Sequence, residues 1–158
     1  MVRRTRRRQR GLSLVELMVV LVIGLMLAMV GTALNAAWVD QAAVRQSQAQ
    51  LRQGMAELKA QALRNPQGQP MGEVAAVLLS LPGRLCVHIG RPAEAVCEGA
   101  RWQAGPQAAI QLAQQERSCL AMDSSGRVID SQIGATACGS ALNYRIQRNK
   151  ETLDDSLD

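Results

Sequence analysis

Few side chains in this chain have the type and spacing to do chemistry. Cys86 and His88 stand two apart, on one face if the segment is a strand, and superficially make a nucleophile–base pair. Four cysteines are present, Cys86, Cys97, Cys119 and Cys138. An even count in an oxidising compartment predicts two disulfides, and a disulfide-bonded Cys86 is no nucleophile. Three pairings are open. Cys86–Cys97 and Cys119–Cys138 are favoured because each closes a short loop, worth about 3 kcal/mol in the chain-entropy picture. A zinc site would want Cys-x-x-Cys spacing, which is missing, and His88 is the single histidine. Asp154-Asp155 lie in the C-terminal tail, and Gly83 to Gly90 lacks the spacing of a phosphate loop. This inventory predicts no catalytic residues, no metal and no cofactor, so the chain is not read as an enzyme.

The charge is as informative as the chemistry. The 158 residues carry a formal charge of +5, but Arg3, Arg4, Arg6, Arg7, Arg8 and Arg10 account for six of the eighteen basic residues. Beyond residue 10 the acids outnumber the bases by one, so a domain-wide footprint for nucleic acid is excluded. Trp38, Trp102 and Tyr144 are the only aromatic residues, which excludes an aromatic stacking platform. Arg145, Arg148 and Lys150 form a small basic cluster diluted by Glu151, Asp154, Asp155 and Asp158. It reads as a solvated surface, with DNA contact an unfavoured alternative.

Glu16 is the residue that demands an explanation. It is the single charge in the apolar run Leu12–Val39, which is long enough for a bilayer-spanning helix. The arginines before it predict a cytoplasmic N-terminus, with residues 40–158 on the far side of the inner membrane. An uncleaved signal anchor or a secretory signal cut near Gly31-Thr32-Ala33 would fit the length. Neither needs a carboxylate in the membrane, which costs about 2.5–3.5 kcal/mol on insertion scales. Leu12 and Glu16 are one helical turn apart, so an amine created at Leu12 by cleavage after Gly11 would have a counter-charge on its own chain or a neighbour. The bland alternative is that Glu16 snorkels to the headgroups.

Arg10-Gly11-Leu12-Ser13-Leu14-Val15-Glu16-Leu17 resembles the processing motif of type IV prepilins and type II secretion pseudopilins. The resemblance covers about residues 6–40. It implies a basic leader removed after Gly11 by a membrane prepilin peptidase, N-methylation of Leu12, and Glu16 as the fifth mature residue, used in assembly. It also implies partners: other pilin or pseudopilin subunits, an inner-membrane assembly platform and membrane lipid. Two departures are visible. Leu12 stands where the family usually has Phe, and no proline precedes residue 66 to kink the helix.

These residues need a scaffold. Between Asp40 and Asn65, Val44, Leu51, Met55, Leu58 and Ala62 trace one stripe at helical spacing, so residues 12–65 are predicted as one helix that Asn65-Pro66 ends. Pro66 to Gly72 reads as a loop, and Glu73 to Leu81 as a strand or a short helix. Arg84 to Ile89 reads as a strand, Gly90 to Pro106 as a loop, and Gln107 to Arg117 is ambiguous. Leu120–Met122 and Val128-Ile129 flank a hairpin-like turn at Asp123–Arg127, and Ala141–Ile146 is read as the last strand. The predicted class is α+β and pilin-like: a long N-terminal helix, its first half transmembrane, packed on a small antiparallel sheet. The organisation is a leader at 1–11, a transmembrane or filament-core helix at 12–39, its amphipathic continuation at 40–65, a periplasmic sheet domain at 66–148, and a flexible acidic tail at 149–158. The reading is a minor pilin or pseudopilin precursor. The alternatives are an unprocessed, signal-anchored periplasmic binding domain and a DNA-uptake minor pilin.

Overall fold

A computed structural model describes residues 13–140 and 142–157, with the backbone alone for residues 29–35. The leader and the expected cut between Gly11 and Leu12 lie outside the described residues. By contact the chain divides into two units, Met1–Trp38 and Val39–Asp158. Helix α1, Leu14–Arg64, contributes to both. It ends where the chemistry says it must. Asn65 takes a left-handed φ of 42°. Its side chain bonds both ways with the Gln69 backbone at 2.8 Å, and Pro66 cannot continue the helix.

In the second unit ten strands follow among the described residues: β1 (Ala76–Leu81), β2 (Arg84–Ile89), β3 (Trp102–Ala104), β4 (Ala109–Leu112), β5 (Ser118–Met122), β6 (Val128–Ile129), β7 (Ser131–Ile133), β8 (Thr136–Cys138), β9 (Asn143–Arg148) and β10 (Glu151–Ser156). The larger sheet has the order β3-β2-β1-β5-β8-β7, with β6 also pairing β5; the smaller has the order β10-β9-β4. Strand β1 is paired antiparallel along its length, with Leu79 opposite Cys86 of β2 on one side and Cys119 of β5 on the other.

Both faces of the larger sheet are covered. On one, Ala76, Leu78, Leu85, Val87, Leu120 and Met122 meet the helix stripe Val44, Leu51, Leu58 and Ala62, together with Ile110, Leu112, Tyr144 and Ile146 of the smaller sheet. On the other, Val77, Leu79, Cys86, Cys119 and Ala121 meet Ala95, Cys97, Ile133 and Cys138. Leu51 and Leu58 are fully buried, each worth about 1.5–3 kcal/mol over an exposed position. Double coverage explains why Glu73–Leu81 reads ambiguously in sequence: a strand buried on both faces shows a continuous apolar run instead of alternation.

The structure corrects several expectations. The acidic tail is not a loose end, because Glu151–Ser156 forms β10, with Leu153 opposite Ile146 and Asp154 opposite Arg145. The hairpin turns at Asn149-Lys150, with Asn149 at φ 52°, a turn lacking the glycine that usually marks one. So β9 is not the last strand. The predicted loop Gly90–Pro106 contains β3, and the ambiguous Gln107–Arg117 contains β4. The short β7–β8 hairpin had no clear sequence signal. One pairing is parallel, Cys119 of β5 with Cys138 of β8, in an otherwise antiparallel arrangement.

Gly54 sets the closeness of helix and sheet. A Cβ added there would stand 3.0 Å from the Trp102 ring, 3.2 Å from Leu78 and 3.3 Å from Leu85. Gly54→Leu is expected to destabilise the fold by about 1–3 kcal/mol through overpacking, despite its better helix propensity. Urea unfolding checks this; an unchanged midpoint would mean the interface has slack.

Candidate functional site

Helix α1 opens at Leu14, and the Leu17 amide donates to the Ser13 carbonyl at 3.1 Å. Ser13 is therefore the N-cap residue and Glu16 occupies the third helical position, the spacing of a capping box. A carboxylate there lies at the positive end of the helix dipole, among amides with no intrahelical acceptor. Sequence reasoning placed Glu16 in the first turn but missed Ser13 as its companion; the signal was the Ser-x-x-Glu spacing. The side chains that follow, Leu14 through Leu27, are exposed, with Glu16 among them. Gly11 and Leu12 lie outside the described residues. Among the described residues no helix is long and apolar enough to cross a membrane; the run of described apolar side chains stops at Ala28.

Residues 6–32 match the family model described as the prokaryotic N-terminal methylation motif. That motif supports the resemblance to type IV pilins and pseudopilins over this segment. The match brackets Gly11, Leu12, Ser13 and Glu16, and the α+β architecture agrees with a pilin-like fold. The motif supports a prepilin-like precursor, processed by a prepilin peptidase and assembled with other pilin subunits. No curated protein and no solved structure matches the chain.

The pilin-like domain holds its cysteines as Cys86–Cys97 and Cys119–Cys138. The first ties β2 to the loop after it, where His88 Nε2 lies 2.8 Å from the Val96 carbonyl and Gln103 donates to the Cys97 carbonyl at 2.8 Å. His88 is thus a buried residue in a structural hydrogen bond, and Cys86 has no free thiolate to offer. The second joins the same two residues that form the parallel β5–β8 pairing.

The basic cluster is largely neutralised on its own chain. Arg145 makes a two-pronged contact with Asp154 at 2.6 and 3.2 Å. The shared hydrogen bonds push the Asp154 carboxyl below its ordinary range and the Arg145 guanidinium above its own. Arg148 pairs with Asp40 at 3.1 Å, and Asn149 donates to the same carboxylate at 2.9 Å. Lys150 is exposed. Asp155 accepts from Tyr144 at 3.1 Å, lies 3.5 Å from Arg52, and is held low first by the Ser156 amide. The Asp40 and Arg52 contacts tie the β9–β10 hairpin to α1, and the Asp154 and Tyr144 contacts tie its two strands to each other.

In sequence Asp123 stands only as part of a turn, yet it is the turn's organising anion. It is fully buried. One oxygen accepts from the Ser125 hydroxyl at 2.6 Å, the Ser125 amide at 2.9 Å and the Arg127 amide at 3.0 Å. The other accepts from the Gly72 amide at 3.3 Å and faces the Arg127 guanidinium at 3.4 Å. The Ser125 hydroxyl foremost, then these amides, outweigh burial and hold the carboxyl down to about 2.

Two outcomes follow from this chemistry. Replacing Cys119 and Cys138 by Ser is expected to cost about 2–4 kcal/mol and to raise hydrogen exchange in β7 and β8 while β1 and β2 stay protected. Uniform loosening of the sheet would contradict that local role. Asp123 has a folded value below its unfolded one, so its stabilisation is complete above the ordinary carboxylate range of about 4 and is lost as pH falls through about 2. Asp123→Asn is expected to lower the melting temperature at neutral pH and to narrow the gap from wild type on acidification between about pH 4 and 2. A constant gap would exclude the carboxylate as the cause.

Proposed function

We propose that this chain is the precursor of a filament subunit, a minor pilin or a secretion pseudopilin, and the substrate of a peptidase instead of an enzyme itself. The observation that carries the reading is the methylation motif at residues 6–32, with Glu16 in the first turn of α1. The arginine leader stays in the cytoplasm, and the apolar run Leu12–Val39 holds the precursor in the inner membrane with the sheet domain in the periplasm. Cleavage after Gly11 frees an amine at Leu12, which is then methylated. That amine meets Glu16 of its own or a neighbouring chain, so that two charges are desolvated together and the axial register of the filament is set. The exposed first half of α1 supplies the apolar surface for like helices. Lipid, sister subunits and a membrane assembly platform are the partners of this reading. A DNA-uptake role would need Arg145 and Arg148, whose guanidinium groups are engaged by Asp154 and Asp40.

N-terminal mass spectrometry of the exported chain tests processing: a methylated start at Leu12 is expected, whereas retention of Met1 would make the chain a signal anchor. Glu16→Ala is expected to be cleaved normally but incorporated into filaments at least about tenfold less, given the 3–5 kcal/mol cost of leaving one partner of a buried pair alone. Undiminished incorporation would remove the register role and leave helix capping as the function of Glu16.

A further inference from the structure

Trp38 is the one large aromatic side chain of the first unit. It is 73% exposed, and the next large side chain, Val39, is 50% exposed. Asp40, the first charge after Glu16, is already engaged by Arg148 and Asn149 of the second unit. Glu16 and Trp38 are twenty-two residues apart in one uninterrupted helix, with no charge between them. At a rise of about 1.5 Å per residue that separation is roughly 33 Å. The hydrocarbon core of a bilayer is about 30 Å thick. The two side chains therefore bracket one hydrocarbon thickness, an acid at one end and an indole at the other. The indole has a large apolar body and a single N–H donor, and such rings partition to the headgroup level, where the body is dry and the donor wet.

We propose that Trp38 is a lipid-headgroup anchor, seated in the outer interface of the inner membrane when Glu16 lies at the inner one, and that it sets the depth of the stored subunit. This rests on the membrane-spanning reading above but not on cleavage at Gly11. An exposed tryptophan inside a filament core would instead meet neighbouring helices, so the anchor belongs to the stored state. Trp38 is then a residue that assembly must lift out of the interface.

The full chain reconstituted in phosphatidylethanolamine–phosphatidylglycerol vesicles allows the test. Trp102→Phe leaves Trp38 as the single tryptophan; if that variant folds poorly, the difference in emission between wild type and Trp38→Phe reports the same ring. Lipids brominated near the glycerol end of the acyl chain are expected to quench Trp38 at least about twofold more than lipids brominated near the methyl end, with a blue-shifted emission. Stronger quenching from the chain end, or iodide quenching in water with none from lipid, would overturn the anchor. Removal of the leader is scored separately by mass. Shallow quenching on a chain that a prepilin peptidase cannot cut would sink the precursor reading and keep the anchor. Normal cutting without lipid quenching would do the reverse.

Discussion

Strand β1 is the element on which the folded domain depends. Its backbone is withdrawn from water on every side, so each amide and carbonyl needs a partner, and β2 and β5 supply them along its length. Its side chains divide by parity. Ala76 and Leu78 face the helix, and Val77 and Leu79 face the layer closed by the two disulfides. A register slip of one residue would exchange these sets and place the sites paired with Cys86 and Cys119 on the wrong face. The cysteines therefore do more than shorten the unfolded chain. They close a second layer over a sheet whose other face the helix has already taken.

Helix α1 is used in two ways along its length. From Ala43 onward one stripe is buried on the sheet, and polar contacts flank it: Ser47 accepts from the Ala108 amide at 3.0 Å, and Gln48 donates to Tyr144 at 2.8 Å. Before Trp38 the described side chains are exposed, although they are the most apolar in the chain. A soluble surface seldom leaves so much apolar area in contact with water, and such an area marks a partner surface. The methylation motif at its start names the kind of assembly in which that partner would be found. An acid at the third helical position is compatible with both capping and pairing to a new amine, because both draw on the positive field of the same helix end.

The second half of the domain shows how far local patterns reach. Arg84–Ile89 was legible because turn residues bound it and it contains β-branched residues. Residues 120–122 and 128–129 were legible because a turn-forming segment separates them. The tail reads as a loose end because its residues are mostly polar, and a polar edge strand looks like a solvated end until its partner is known. Tyr144, Arg145 and Ile146 supply that partner, through a hydroxyl, a guanidinium and an apolar contact to Asp155, Asp154 and Leu153. Asp123 was hidden for a similar reason: its partners at Gly72 and Arg127 come from two different segments, and no spacing in the chain announces the first of them.

The order of residues alone determined the lone acid one helical turn after Leu12, the apolar run that follows, and the proline that ends the helix, since each depends on neighbours within a turn or two. It also determined that four cysteines would be available for bridges. Tertiary structure decided which apolar segments are covered on both faces, that the acidic end becomes a strand, and that Arg145 and Arg148 of the basic cluster pair with Asp154 and Asp40 of their own chain. Those outcomes depend on groups far apart in sequence meeting in a register that the core selects, and no local pattern carries that information.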